Sequence, residues 1–147
     1  MWLLDVDTLV LKYFSDTDLP PYAILSHTWG DDEVTFQDMK DLTHAKLKAG
    51  FWKIEQTCAE SRNRGLQYAW VDTCCINKES SAELQEAIRR MFEWYGNAVE
   101  CFAFLADVCA SATDFGTDLL TTSRWFTRGW TLQEMIAPTR MLFYDQS

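Results

Sequence analysis

Short apolar segments alternate along the chain with longer segments in which apolar residues recur at helical spacing. Four of the short segments are rich in aromatic residues, at positions 22–26, 68–71, 101–105 and 141–144. Such segments are typical of β-strands that helices cover on both faces, so we predict each to be a buried strand. The opening residues, WLLDV, predict a further strand at an edge of the sheet.

Helical periodicity predicts three helices, over residues 47–64, 81–95 and 123–137. The second begins with a capping-box pattern formed by Ser80 and Glu83 and ends at Gly96. Pro138 ends the third, because proline lacks the amide hydrogen that a continuing helix needs.

The alternation of strands and helices predicts one α/β domain over residues 1–147. We expect a mostly parallel central sheet of about four to five strands flanked by helices, in the flavodoxin-like class. Residues 108–122 are small and polar. They predict a mobile loop near the carboxyl ends of the strands, where open α/β sheets bind their ligands.

The chain carries 22 acidic and 13 basic residues, a net charge of −9. Nucleic acids and anionic membranes both select surfaces rich in Lys and Arg, so we expect neither as a partner. No apolar segment approaches the roughly 18–20 residues that span a bilayer. Asp5 and Asp7 interrupt the apolar opening, which argues against a secretory signal and for a cytoplasmic location.

Metal and disulfide chemistry is poorly supported. The five cysteines are odd in number and include no CxxC pair, and the chain has two histidines. We therefore predict no metal site, no disulfide framework and no bound cofactor, and expect the cysteines to be buried reduced thiols.

Three clusters of polar and aromatic residues, at positions 26–33, 72–78 and 123–134, follow or precede the predicted core elements. Because neighbouring parallel strands end at the same edge of a sheet, we expect these clusters to form one cleft. The candidate site residues are Ser26, His27, Thr28, Trp29, Asp72, Arg128, Trp130 and Glu134.

Each candidate also has a structural interpretation. Thr131 and Glu134 form a capping-box pattern, so that a helix beginning at Thr131 would use this carboxylate as a cap. His27 fits a hydrogen-bonded core residue, Asp72 fits a turn cap, and Arg128 fits a surface ion pair as well as a phosphate contact. The run of acids at positions 31–33 fits a solvated turn. Adjacent Cys74 and Cys75 fit packing better than catalysis.

Three long segments, YAILSHTWG, WVDTCCINK and SRWFTRGWTLQE, closely resemble the blocks that define the HET (heterokaryon incompatibility) domain, in the same order. The segments EVTFQDM and AELQEAIRRMFEWY agree as well, so the resemblance runs from about Leu3 to Tyr144. Asn77 departs from it, since the family more often has Asp there. The resemblance implies a fungal effector of programmed cell death, usually joined to sensor or regulatory domains in a longer protein.

A more distant resemblance connects the chain with TIR domains, some of which hydrolyse NAD. YAILSHTWGDDE is similar to the first TIR strand and its acidic turn, and SRWFTRGWTLQE is similar to the TIR segment that carries a catalytic glutamate. This resemblance implies that Glu134 is catalytic and that NAD is the substrate. A carboxylate suits that reaction because it stabilises an oxocarbenium-like sugar.

Two functions therefore stay open at this point. One is an enzyme that depletes NAD. The other is a non-enzymatic death-signalling module that acts by self-association or by binding other proteins through its Trp-rich surface.

Overall fold

The computed structural model describes residues 1–108 and 123–145. Its centre is a six-stranded sheet with the order β2-β1-β4-β3-β5-β6. The strands are β1 (Trp2–Asp5), β2 (Leu11–Tyr13), β3 (Tyr22–His27), β4 (Tyr68–Trp70), β5 (Glu100–Phe104) and β6 (Met141–Tyr144). The four predicted aromatic-rich strands are confirmed. Most of the predicted loop, residues 109–122, lies outside the described residues.

The sheet is mixed, which corrects the prediction of a mostly parallel sheet. Strands β4, β3, β5 and β6 pair in parallel, whereas β1 pairs antiparallel with both β2 and β4. The connection over residues 6–10 is too short for the crossover that parallel strands need. Leu9 turns the chain there with a left-handed φ of 57°. The hairpin also makes β2 the edge strand, so the edge position predicted for WLLDV was wrong.

The described residues form four α-helices: α1 (Leu42–Ala45), α2 (Phe51–Asn63), α3 (Ser81–Asn97) and α4 (Thr131–Ile136). The predicted capping box at the start of α3 is confirmed, because the Ser80 hydroxyl accepts a hydrogen bond from the backbone N–H of Glu83. The helix continues through Gly96, which was predicted to end it. Along the described part of the chain, no helix has the length and apolar character to cross a bilayer.

The single helix predicted over residues 123–137 is divided in the structure. A 3-10 turn (Arg124–Thr127) comes first, Arg128 is extended with φ −79° and ψ 140°, and α4 begins at Thr131. The Thr131 hydroxyl donates to the carbonyl oxygen of Trp125 at 2.5 Å, which joins the two pieces across the break. The break directs Arg128 and the helix that follows toward the same side of the sheet.

Side chains of β3 point alternately to the two faces of the sheet, because successive strand residues face opposite ways. Ser26 faces the fully buried indole of Trp125. Leu25 instead lies beside Phe102 and the α2 residues. All six residues of β3 are buried, so this strand fixes the position of both faces.

Candidate functional site

The three polar clusters meet at the carboxyl ends of β3 and β4, which are adjacent parallel strands. Ser26 and His27 are the last residues of β3, and Asp72 comes just after β4. The Nδ1 of His27 lies 3.8 Å from Oδ1 of Asp72, and the Ser26 hydroxyl donates to Glu134. The first cluster therefore contacts both of the others, the second through His27 and the third through Ser26. That the three clusters line one cleft stays a prediction.

Glu134 is held in the interior by side chains distant in sequence. It is 3% exposed, and Oε2 accepts the hydrogen bond from Ser26. The Arg128 guanidinium donates to both carboxylate oxygens, at 3.1 and 3.4 Å. The helix does begin at Thr131, but Trp130 occupies the N-cap position and no side chain caps it. The capping-box interpretation of Glu134 is therefore wrong.

The Ser26 hydroxyl is hydrogen-bonded both to the Trp125 indole and to the Glu134 carboxylate. It accepts a hydrogen bond from Trp125 Nε1 at 2.7 Å and donates its own proton to Glu134. The sequence analysis did not identify this contact, because Trp125 and Ser26 are 99 residues apart and no local pattern connects them.

His27 is buried beside two carboxylates without forming an ion pair at neutral pH. Burial lowers the pKa of the imidazole well below its usual value of 6.5, and the cations of Lys53, Arg128 and Lys78 lower it further. These effects outweigh the opposite influence on the pKa from the nearby carboxylate oxygens of Glu33, at 3.9 Å, and of Asp72. Among the described residues, the Nε2 atom has no hydrogen-bond partner. His27 is thus a neutral imidazole with one buried, unpaired nitrogen.

Asp72 is a carboxylate with a raised pKa. Burial raises it from 3.8 to about 6, and the negative charge of Glu134 adds to the effect, against the hydrogen bond from Trp29 Nε1 and the charges of Lys78 and Arg128. The Trp29 bond is 2.9 Å long. The Lys78 ammonium lies over the Trp29 ring, 3.8 Å from its centre. One oxygen of Asp72 is buried without a hydrogen-bond partner among the described residues.

Glu33 and Lys53 form a second charged pair at this edge, which sequence reasoning missed. Asp31 and Asp32 are exposed as predicted, but Glu33 is largely enclosed and paired with the Lys53 ammonium. Lys53 also donates to the carbonyl oxygen of Thr28 at 3.0 Å. The prediction of a fully solvated acidic turn was therefore wrong for its last residue.

The other predicted site residues contribute less to these contacts. Thr28 takes part through its carbonyl oxygen. Trp130 accepts the α4 amide of Glu134 with its carbonyl oxygen, while its indole is 48% exposed. Trp130 is exposed and Glu134 is buried, so their side chains do not present one common face of α4.

Four cysteines, Cys58, Cys74, Cys75 and Cys101, are buried and unpaired, as predicted. Burial raises the pKa of Cys58 to about 12. The contact with Cys75, followed by burial, raises the pKa of Cys74 well above its usual value, which is unfavourable for a thiolate nucleophile. Within residues 1–108 and 123–145, no group of three His, Cys, Asp or Glu side chains could hold a metal ion.

Comparisons with known proteins agree on one family. The family model described as heterokaryon incompatibility protein (HET) matches residues 22–122. The chain is 47% identical over 135 residues to vegetative incompatibility protein HET-E-1 of Podospora anserina. That alignment covers 87% of this chain and 10% of the relative, so the chain spans about a tenth of the relative's length. No solved structure matches. The chain belongs to the heterokaryon incompatibility (HET) family.

Proposed function

We propose that this chain is a cell-death effector domain of fungal heterokaryon incompatibility and that it acts by hydrolysing cytoplasmic NAD. Family membership and the similarity to a vegetative incompatibility protein support the role in incompatibility. The observation that carries the enzymatic part is the buried carboxylate of Glu134, oriented by Ser26 and Arg128. The resemblance of its segment to that of NAD-cleaving TIR domains suggests the substrate.

In this reaction the bond between ribose C1′ and the nicotinamide nitrogen breaks, and a water oxygen bonds to C1′. The products are nicotinamide, ADP-ribose and one proton. Positive charge develops on the sugar as the bond breaks, and Glu134 stabilises that charge. Ser26 and Trp125 already hold the carboxylate in position before the substrate binds.

Arg128 is the residue through which the substrate gains access to Glu134. Its side chain is partly exposed, whereas that of Glu134 is almost fully enclosed. A pyrophosphate offers the guanidinium the same bidentate contact that the carboxylate offers. Binding of the dinucleotide therefore transfers Arg128 to phosphate and frees the carboxylate for the ribose.

The remaining candidates contact the nicotinamide ring and the ribose next to it. The exposed indoles of Trp29 and Trp130 stack on the nicotinamide ring, whose positive charge favours an aromatic face. The Asp72 oxygen that lacks a partner among the described residues binds a ribose hydroxyl, and Thr28 positions the turn beside it. His27 follows Ser26 on β3 and faces the α2 side, where its Nε2 lies 3.9 Å from Glu33. NAD is the substrate, and no separate cofactor takes part.

Expression in yeast tests this function. Growth and cellular NAD are followed together for the wild-type domain, for Glu134→Gln, and for Glu55→Gln as a matched control on an exposed position of α2. We expect the wild type and the control to lower NAD and arrest growth, and Glu134→Gln to do neither. Growth arrest at constant NAD would refute the hydrolase.

A second candidate function, signalling by self-association, is favoured by one surface. Helix α4 exposes Leu132 and Ile136, at 62% and 61%, and Phe126 stacks on the half-exposed Phe143 with ring centres 6.4 Å apart. We propose that a second copy of the domain covers these side chains, and that fused sensor or regulatory domains control this association. Single exposed apolar residues are common, but these four all lie between residues 126 and 143.

Sedimentation of the purified domain over a range of concentrations tests this association. Leu132→Glu is expected to keep the domain monomeric at concentrations where the wild type associates. Leu47→Glu, at another highly exposed leucine, serves as the control and leaves association unchanged. A wild-type domain that remains monomeric throughout contradicts this second function.

A further inference from the structure

A cavity of about 400 Å³ lies between α2 and the strands β5 and β6, on the face of the sheet opposite Glu134. The two faces are distinguished by strand alternation: Leu25 lines the cavity, whereas the next residue, Ser26, binds Glu134. Small-molecule sites have volumes of roughly 300–1,000 Å³, so this cavity is large enough for a nucleoside-sized ligand.

Aromatic side chains form the walls of the cavity. Trp52 of α2 meets Phe104 of β5 edge to face, with ring centres 4.7 Å apart. Tyr144 of β6 meets Phe102 in the same way, at 5.6 Å. Aromatic walls favour a flat aromatic ligand over an aliphatic one, because ring faces and edges attract other rings.

Polar groups occupy one side of the same cavity. Gln56 makes no hydrogen bond with the described residues, so its amide offers both a donor and an acceptor. Glu60 accepts from the Tyr144 hydroxyl with one oxygen. Among the described residues, the Lys53 ammonium donates to Thr28 and Glu33, which uses two of its three protons. These groups complement a ring whose edge carries both donors and acceptors.

We propose that this cavity binds a planar heteroaromatic ring with an amine or amide on its edge, the chemistry shared by adenine and nicotinamide. The ring lies between Trp52 and Phe102, and its exocyclic nitrogen donates to Gln56 or Glu60. This site is separate from Glu134 and does not depend on the proposed hydrolysis, because strand β3 lies between them.

Titration of the purified domain with adenosine and, separately, with nicotinamide tests the site by ligand-observed NMR. We expect at least one of them to bind, and Gln56→Leu to weaken binding roughly threefold to tenfold by removing the edge hydrogen bonds. Gln85→Leu is the matched control, an exposed glutamine of α3 far from the cavity in sequence, and leaves affinity unchanged. Gln56→Trp fills the cavity and abolishes binding.

The two ligands distinguish the sources of the chemistry. Binding of adenosine alone assigns the site to adenine nucleotides, and binding of nicotinamide alone assigns it to the pyridine ring; either supports the site. Glu134→Gln is expected to bind as the wild type does, whatever its hydrolase activity. Absence of binding by both ligands overturns the proposal. So does equal affinity of Gln56→Leu and wild type, or a loss of affinity in Glu134→Gln alone.

Discussion

At the scale of single residues, Arg128 is the cation that pairs with the negative charge of the buried Glu134 carboxylate. Its guanidinium donates two hydrogen bonds to the Glu134 carboxylate, and the Ser26 hydroxyl donates a third. A buried charge that loses its partner is costly, because neither water nor another cation replaces the lost interaction. The stability of the domain therefore depends on this pair in a way that a surface ion pair would not.

Removal of the cation is expected to destabilise the domain. Arg128→Ala lowers the free energy of unfolding by about 3 kcal/mol, since it leaves the carboxylate buried without its ion pair. Urea denaturation measures the change. Adding Glu134→Gln to Arg128→Ala removes the charge and restores most of the loss; a double variant that is no more stable than Arg128→Ala would contradict this account.

Asp72 makes stability depend on pH, because its pKa of about 6 in the folded domain exceeds the value of 3.8 expected in the unfolded chain. The folded state therefore binds the proton more tightly, and its stability falls as the pH rises from about 4 to about 6. Well above pH 6, the domain has lost the full contribution of Asp72 protonation to its unfolding free energy.

Asp72→Asn removes this dependence while retaining an acceptor for Trp29. Relative to the wild type, the variant is expected to gain about 2 kcal/mol between pH 4 and pH 7, at roughly 1.4 kcal/mol per pKa unit and with part of the effect already present at pH 4. His27 titrates in both proteins, so the comparison largely cancels its contribution. Urea denaturation at the two pH values gives the result, and a stability difference that does not change with pH would refute it.

At the scale of elements, two identical capping patterns had different outcomes. Ser80 caps α3 as its pattern predicted. Thr131 precedes Glu134 at the same spacing, but its hydroxyl bonds to Trp125 and its helix starts one residue too early for a cap. A tertiary contact formed across the break at Arg128 thus outweighed the local pattern. Local patterns could not reveal this contact, because it depends on how residues 123–131 fold back.

The start of α2 depends on a close approach between Gly50 and Glu33. A Cβ at position 50 would lie 2.5 Å from Oε2 and 2.9 Å from Cα of Glu33. Glycine lowers helix propensity, so local preference does not explain its place just before α2. Its role is steric: it lets the acidic turn reach Lys53 from the side of the helix.

Gly50→Ala is therefore expected to lower the unfolding free energy by about 1–3 kcal/mol, since the added methyl group has no space. Gly129→Ala, where nothing lies within 4 Å of an added Cβ, is the matched control and has little effect. Thermal unfolding of both variants measures the difference. Equal melting temperatures for the two variants would show that the turn moves aside without cost.

At the scale of the whole molecule, the sequence predicted the parallel part of the sheet and the edge where the site lies. Aromatic-rich segments identified four strands, and the polar residues after 22–26 and 68–71 identified the shared edge. The hairpin of β1 and β2 was missed because Leu11–Tyr13 is short and largely exposed, without an apolar pattern. The pair of Glu33 and Lys53 was missed because it joins a loop to a helix distant in sequence.

The most direct measurement of the central claim is the release of nicotinamide and ADP-ribose from NAD by the purified domain at high concentration. We predict that the wild type releases the two products in equal amounts and that Glu55→Gln does so at the same rate. Glu134→Gln is expected to be slower by about 10²–10³-fold, because it lacks the charge that stabilises the sugar. Release by Glu134→Gln at the wild-type rate would contradict the assignment of Glu134 as the catalytic carboxylate.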